Sequence, residues 1–214
     1  MRSFLTAMAM LAITAPLAAQ GHEGHAAPSG AMVAGWKGRV DHPARGNIAQ
    51  VNFTADGGVL HVTTGPAAIL WDPQTTASGN FTVATTLTLP EAPARLEAYG
   101  LFFGGSNLEA EDQEYFYFLI RHDGQFIVKH RAGAEAHTIQ DWTPHAAIQK
   151  PDASGKSVNA IAVDVSADKV SYLVNGTEVV SFDRSQMSKV DGVIGLRVNH
   201  NLHVISDGLK ITPK

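Results

Sequence analysis

Beyond about residue 33 the chain reads as short apolar or alternating stretches set apart by Gly, Pro, Asn and Asp. No stretch holds the i, i+3, i+4, i+7 spacing of a long amphipathic helix. The pattern predicts strands over 59–63, 68–71, 81–89, 99–103, 115–121, 126–131, 136–140, 158–165, 170–174, 178–182, 193–198 and 203–211. Many short strands with frequent turn signals and no helical spacer point to an all-β sandwich or barrel rather than an α/β fold.

Two hairpins tighten this reading. Asn175-Gly176, between KVSYLV and TEVVSF, is the pair that accepts positive φ at both central positions, so a two-residue type I′ turn is expected. In EYFYFLIRHDGQFIVKHR, a three-residue loop His122-Asp123-Gly124 pairs Arg121 with Gln125 and Ile120 with Phe126. That register puts Phe116, Phe118, Ile120, Phe126 and Val128 on one face and Tyr115, Tyr117, Arg121, Lys129 and Arg131 on the other. A two-residue loop would set Lys129 and Arg131 opposite Phe118 and Phe116, and burying those charges is the costlier arrangement.

Composition narrows the class. The chain has 214 residues, 44% hydrophobic and 17% charged, with 20 glycines and no cysteine. One folded domain suffices at this length. Disulfides, thiolate metal sites and a Cys nucleophile are excluded. A net charge of −4 without a basic run gives no field to gather phosphate backbones, so nucleic acid is not an expected partner.

Arg2, an apolar stretch from Phe4 to Ala15, then Pro16, Leu17, Ala18 and Ala19 have the form of a secretory signal peptide. The apolar run is shorter than the roughly 20 residues a spanning helix needs, so no membrane span is expected after processing. The domain expectation is a signal peptide at 1–19, a flexible His/Gly/Pro arm at 20–32 and a single β-sandwich at 33–214, in the periplasm or secreted.

GLFFGG, a polar loop, DQEYFYFLI, a tight turn, GQFIVKHR, DWTP, NAIAVDV, VSYLVNGTEVVSF and GVIGLRV follow one another in an order that resembles the bacterial concanavalin A-like, laminin G-like jelly rolls. Among them the sequence is most similar to the 3-keto-disaccharide hydrolase-like domains, over about residues 53–211. The resemblance implies an antiparallel two-sheet jelly-roll sandwich. It also implies that ligands lie on one concave sheet. It does not choose between lectin, glycosidase and adhesion module, because this fold carries all three.

The face bearing Tyr115, Tyr117, Arg121, Lys129 and Arg131, with Trp142 shortly after, suits a saccharide: its C–H face stacks on a ring while its hydroxyls accept hydrogen bonds from Arg and Lys. The competing reading has the tyrosines packed under a loop and the cations merely solvated. Glu109, Glu111 and Glu114 give Glu-x-Glu-x-x-Glu, close to the Glu-x-Asp-x-x-Glu of glucanases of this fold. Here it falls in the loop before a strand, so the spacing of about 5 to 5.5 Å that a retaining pair needs is not secured. No catalytic residue is assigned.

Metal chemistry has two candidate places. Cleavage after Ala19 would make His22 the third residue, able to wrap Cu(II) or Ni(II) with the amino terminus and backbone nitrogens, whereas a cut after Gln20 shifts that register. Asp72, Asn107 and Asp112 supply oxygens of the kind Ca²⁺ takes, without a pattern that makes them converge. His200 and His203 are read as turn residues, not ligands. Three functions stay open: a non-catalytic module recognising carbohydrate or another polar polymer, a glycoside-acting hydrolase, and a structural periplasmic protein. The oligomeric state is not encoded in any pattern here.

Overall fold

The computed structural model describes residues 30–187 and 189–214. The expected signal peptide, most of the arm and His22 lie outside the described residues. In chain order the strands are β1 (Lys37–Val40), β2 (Val51–Asp56), β3 (Val59–Thr64), β4 (Ala68–Ala77) and β5 (Phe81–Leu89). They continue with β6 (Ala98–Ser106), β7 (Glu114–Arg121), β8 (Gln125–Ala132), β9 (Glu135–Pro144) and β10 (Ser157–Val165). The last are β11 (Lys169–Val174), β12 (Thr177–Asp183), β13 (Gly192–Val198), β14 (His203–Ser206) and β15 (Lys210–Pro213).

These pair, antiparallel throughout, into two sheets. The first has the order β1-β4-β13-β6-β7-β8-β9, the second β12-β11-β10-β5-β14-β3-β2, with β15 also on β5. Strand β5 (FTVATTLTL) shows why alternation forms this fold: Phe81, Val83, Thr85, Leu87 and Leu89 are buried while Thr82, Ala84, Thr86 and Thr88 are not. The odd positions face the interior that the two sheets share.

The central hairpin has the expected register, with Arg121 opposite Gln125 and Ile120 opposite Phe126. Gly124 adopts φ +87°, and its N–H closes the loop on the Arg121 carbonyl at 3.0 Å. Phe116, Phe118, Ile120, Phe126 and Val128 all enter the core between the sheets. Across it, the Phe118 ring meets Tyr172 of β11 edge-on at 5.2 Å. Each such side chain contributes about 1.5–3 kcal/mol when fully buried, enough to hold the parity of the hairpin. Asn175 and Gly176 both have positive φ and join Val174 to Thr177, the expected two-residue turn.

Several elements differ from expectation, among them β4 and β9, which run on to Ala77 and Pro144. β1 is not visible in the pattern because only Val40 among its four residues is buried. β2 places Val51 and Phe53 inward and turns at Gly57-Gly58 into β3, an alternation that was readable. Its Phe53 N–H donates to the Ala31 carbonyl, and Met32, Val33 and Trp36 pack against the core, so the chain joins the sandwich by residue 31. The strand expected at 203–211 is two strands. Ser206 opposes Leu87 but Lys210 opposes Ala84, so one additional residue is absorbed between them. Asp207 fixes that break by accepting from the Thr86 N–H at 2.6 Å.

A buried amide ties the sandwich together at one end. Asn159, fully buried in β10, accepts from the Gln149 N–H, donates to the Gln149 carbonyl and accepts from the Asn175 amide, at 2.8–3.0 Å. The residues after β9 are thereby anchored to the second sheet.

Candidate functional site

The outer face of the first sheet is built in rungs. Trp71, Gly195, Phe102, Tyr117, Lys129 and Thr138 lie side by side on six successive strands. Ile69, Arg197, Gly100, Leu119 and Ile127 form the adjacent rung, and Tyr115 faces Arg131 on the other side. A second apolar cluster forms here from Ile69, Trp71, Phe102, Tyr115, Tyr117 and Leu119 with their neighbours, with Trp142 packed at its edge. Two irregularities in the β8–β9 pairing bring Trp142 onto this face beside Ile127.

The structure thus brings all six expected residues to one face, but with unequal exposure. Tyr115 is 1% and Tyr117 5% exposed, Arg131 is 9%, and Arg121, Lys129 and Trp142 are half-buried. The tyrosine rings offer no open stacking surface. Phe102 packs on Tyr115 at 5.2 Å, and the Arg197 guanidinium lies 4.4 Å over the Tyr117 ring. Leu108, from the loop between β6 and β7, belongs to the same cluster, and Arg39 donates to the Leu108 and Ala110 carbonyls, drawing that loop over the face.

Arg197 is the centre of this face and was not singled out from the sequence. It forms two parallel hydrogen bonds to Asp41, at 2.7 and 2.6 Å, and a third to the Tyr115 hydroxyl at 3.2 Å. Burial would lower its pKa, but the Tyr115 hydroxyl and the Asp41 carboxylate outweigh this and raise it. Burial likewise pushes Asp41 upward, yet Arg197 wins and holds its carboxyl below the usual value. The Tyr115 and Tyr117 hydroxyls are pushed up chiefly by burial, so both stay neutral. A signal for Arg197 existed: in GVIGLRV, Ile194, Leu196 and Val198 face the core, which forces Arg197 onto the other side of a central strand.

At the rim, Arg121 lies 4.3 Å over the Trp142 ring and is held from below by Asp123, with hydrogen bonds of 2.9 and 2.6 Å. Gln125 donates to the same carboxylate. Trp142 is therefore a partly exposed aromatic plate with one side braced. Near the opposite end of the rungs a cleft of about 290 Å³ opens beside Lys37, Trp71, Asn107, Leu108 and Glu109.

The glutamates do not converge. Glu109 and Glu111 sit exposed in the β6–β7 loop, Glu109 bound to Lys37 at 2.5 Å. Glu114 starts β7 on the face opposite Tyr115 and is engaged by Lys189 and, at 3.1 Å, by His130. Asn107 donates to Asp112 at 2.8 Å, while Asp72 accepts from the Gln74 N–H. Among the described residues no group of three or more His, Asp or Glu is placed to hold a metal ion. His200 lies 3.6 Å from Glu97, whereas His203 starts β14 with its ring 6.1 Å from His61.

No protein-family model and no curated sequence matches this chain. Solved structures do. The chain is similar to the carbohydrate-binding module CBM66 from Bacillus subtilis, with a TM-score of 0.60 at 11% identity, over 83% of this chain and 94% of that one. It is similar to a Bacillus subtilis protein of unknown function with a galectin-like fold, at 0.58 and 12%, over 83% and 89%. A family 16 glycoside hydrolase from Bacteroides ovatus, in complex with a G4G4G3G product, gives 0.57 and 11%, over 83% and 94%. At such identities the likeness speaks for architecture, and that architecture is the antiparallel, two-sheet jelly-roll sandwich.

Proposed function

We propose that this protein is a non-catalytic recognition module that binds carbohydrate on the outer face of its first sheet, after export to the periplasm or beyond the cell. The observation that carries the reading is the Arg121-braced Trp142 ring, half-exposed beside Ile127 and on the same face as Lys129 and Arg131. A rigid aromatic plate next to fixed donors stacks a pyranose and bonds its hydroxyls. Tyr115 and Tyr117 act as the floor that fixes these groups. The CBM66 and galectin-like neighbours support the reading at the level of fold.

The hydrolase reading, to which the 3-keto-disaccharide hydrolase resemblance belongs, requires two carboxyl groups facing the same substrate. On this face Asp41 and Asp123 are each taken up by an arginine, and Glu109 and Glu114 point to different places. Recognition without turnover is therefore the better account.

A panel of oligosaccharides and polysaccharides, with 3-keto glycosides included, tests both readings when binding and product are followed in one assay. The expected result is binding without product, weakened by roughly 1–3 kcal/mol in Trp142→Ala. Turnover that disappears with a carboxylate substitution would overturn the proposal, as would saccharide binding indifferent to Trp142.

A further inference from the structure

The ion pairs of the outer face leave a surplus of one sign. Arg197 is matched by Asp41, Arg121 by Asp123 and Lys37 by Glu109. Three cations on the same face have no carboxylate within ion-pair distance among the described residues. Arg39 reaches only carbonyl oxygens, and its buried Nε has no partner. Arg131 donates from Nε to the Gly133 carbonyl at 2.7 Å, which leaves its two terminal nitrogens unengaged. Lys129, two residues before Arg131 on β8, carries no carboxylate at all. The accumulation is local, because the whole chain has a net charge of −4.

Arg131 is the informative member. It is 9% exposed, and its neighbours are Tyr115 across the rung and the already neutralised Asp41. Most of this side chain is withdrawn from water, but its two terminal nitrogens are not among the fully buried atoms, so they are open to an anion's oxygens. With Lys129 beside it, Arg131 forms a two-cation step that follows the strand toward the Trp142 rim. The arginine fork matches carboxylate and sulfate oxygens in a way that it does not match isolated hydroxyls.

Resting on the carbohydrate reading above, we infer that the ligand is an acidic polysaccharide, whose carboxylate or sulfate groups are taken by Arg131 and Lys129 while Trp142 stacks on a sugar ring.

The test measures affinity for polygalacturonate, dextran sulfate and a neutral set of dextran, β-glucan and levan, with oligothymidylate as a non-saccharide polyanion. At least one acidic polysaccharide is expected to bind at least about tenfold more tightly than the neutral set and than oligothymidylate, and the polygalacturonate and dextran sulfate arms tell carboxylate from sulfate. Its affinity should fall by about tenfold in Lys129→Gln, as expected for loss of one charge-assisted hydrogen bond. It should also fall as salt shortens the screening length. Arg131→Gln should remove more. Because that residue is buried, Arg131→Lys and the rim variant Lys129→Gln supply the readout if Arg131→Gln does not fold. Neutral glycans binding as well as acidic ones, unaffected by Lys129→Gln, would overturn this inference and leave carbohydrate recognition standing. Oligothymidylate binding as tightly as the acidic polysaccharides would reduce the patch to a general polyanion surface and overturn it too. Binding of none of the polymers would remove the underlying carbohydrate reading with it.

Discussion

Arg197 of β13 and Asp41 after β1 are joined by two parallel hydrogen bonds although 156 residues separate them in the chain. Their side chains are 7% and 15% exposed, so either charge left alone would be stranded. Asp41→Ala is expected to cost about 3–5 kcal/mol, the usual penalty for breaking a buried pair from one side. The double variant Asp41→Leu with Arg197→Met should recover most of this, since removing both charges removes the stranding. Urea unfolding of the three proteins checks the order, and a double variant less stable than the single one would refute it.

The same pair sets an acid limit. Asp41 has a folded-state pKa below its ordinary 3.8, because the attraction and hydrogen bonds of Arg197 overcome burial. The hydrogen bond from Arg121 lowers Asp123 in the same direction. A depressed carboxyl gives stability that is present above the unfolded value and is lost as pH falls through the folded one. The stability gap between the parent protein and Asp41→Asn is therefore expected to be constant from neutral pH to about 4 and to shrink below 3.8. Melting curves across that range measure it, and a gap independent of pH would contradict the assignment.

Gly195 sits where the first sheet is closest to its own aromatic cover. A Cβ there would lie 2.3 Å from the Leu70 carbonyl oxygen and 2.3 Å from the Phe102 ring. Gly195→Ala should destabilise by about 1–3 kcal/mol through overpacking. Gly176→Ala, in contrast, meets no neighbour within 4 Å but is strained by its φ of +80°. The two variants separate crowding from backbone strain, because a smaller side chain at Phe102 should relieve part of the first, the contact with the ring but not that with the Leu70 carbonyl, and none of the second. Chemical denaturation of Gly195→Ala with and without Phe102→Leu gives the comparison.

Asn159, itself fully buried, concentrates three hydrogen bonds to Gln149 and Asn175. Asn159→Ala leaves the Gln149 backbone groups unmatched and is expected to cost about 1–3 kcal/mol. Hydrogen exchange should report the loss first at the Gln149 amide, which ought to exchange faster while the amides of β7 stay protected.

What could be read in the sequence was whatever depended on period and turn chemistry. The parity of the 115–131 hairpin followed from one glycine and from the cost of burying Lys129 and Arg131 against Phe118, and the pairing agrees. β5 was legible to the residue because both of its faces keep a strict alternation. What escaped was set by partners distant in the chain. β1 owes its existence to β4, and Asp41 to Arg197, neither of which a local window contains. The same holds for the face itself: an alternating strand states which side chains share a side, but not that Phe102, Leu108 and Arg197 will enclose the tyrosines. Trp142 reached the face only through the irregular pairing of β9, which has no sequence period to announce it.

Those two dislocations in β9 have a consequence for how copies of the molecule meet. β9 is the terminal strand of its sheet and ten residues long, the kind of open border on which a second chain can dock its backbone. Breaking its hydrogen-bond ladder twice leaves no long straight row of donors and acceptors for a newcomer to follow. The kinks that expose the tryptophan also make the border a poor template for another strand.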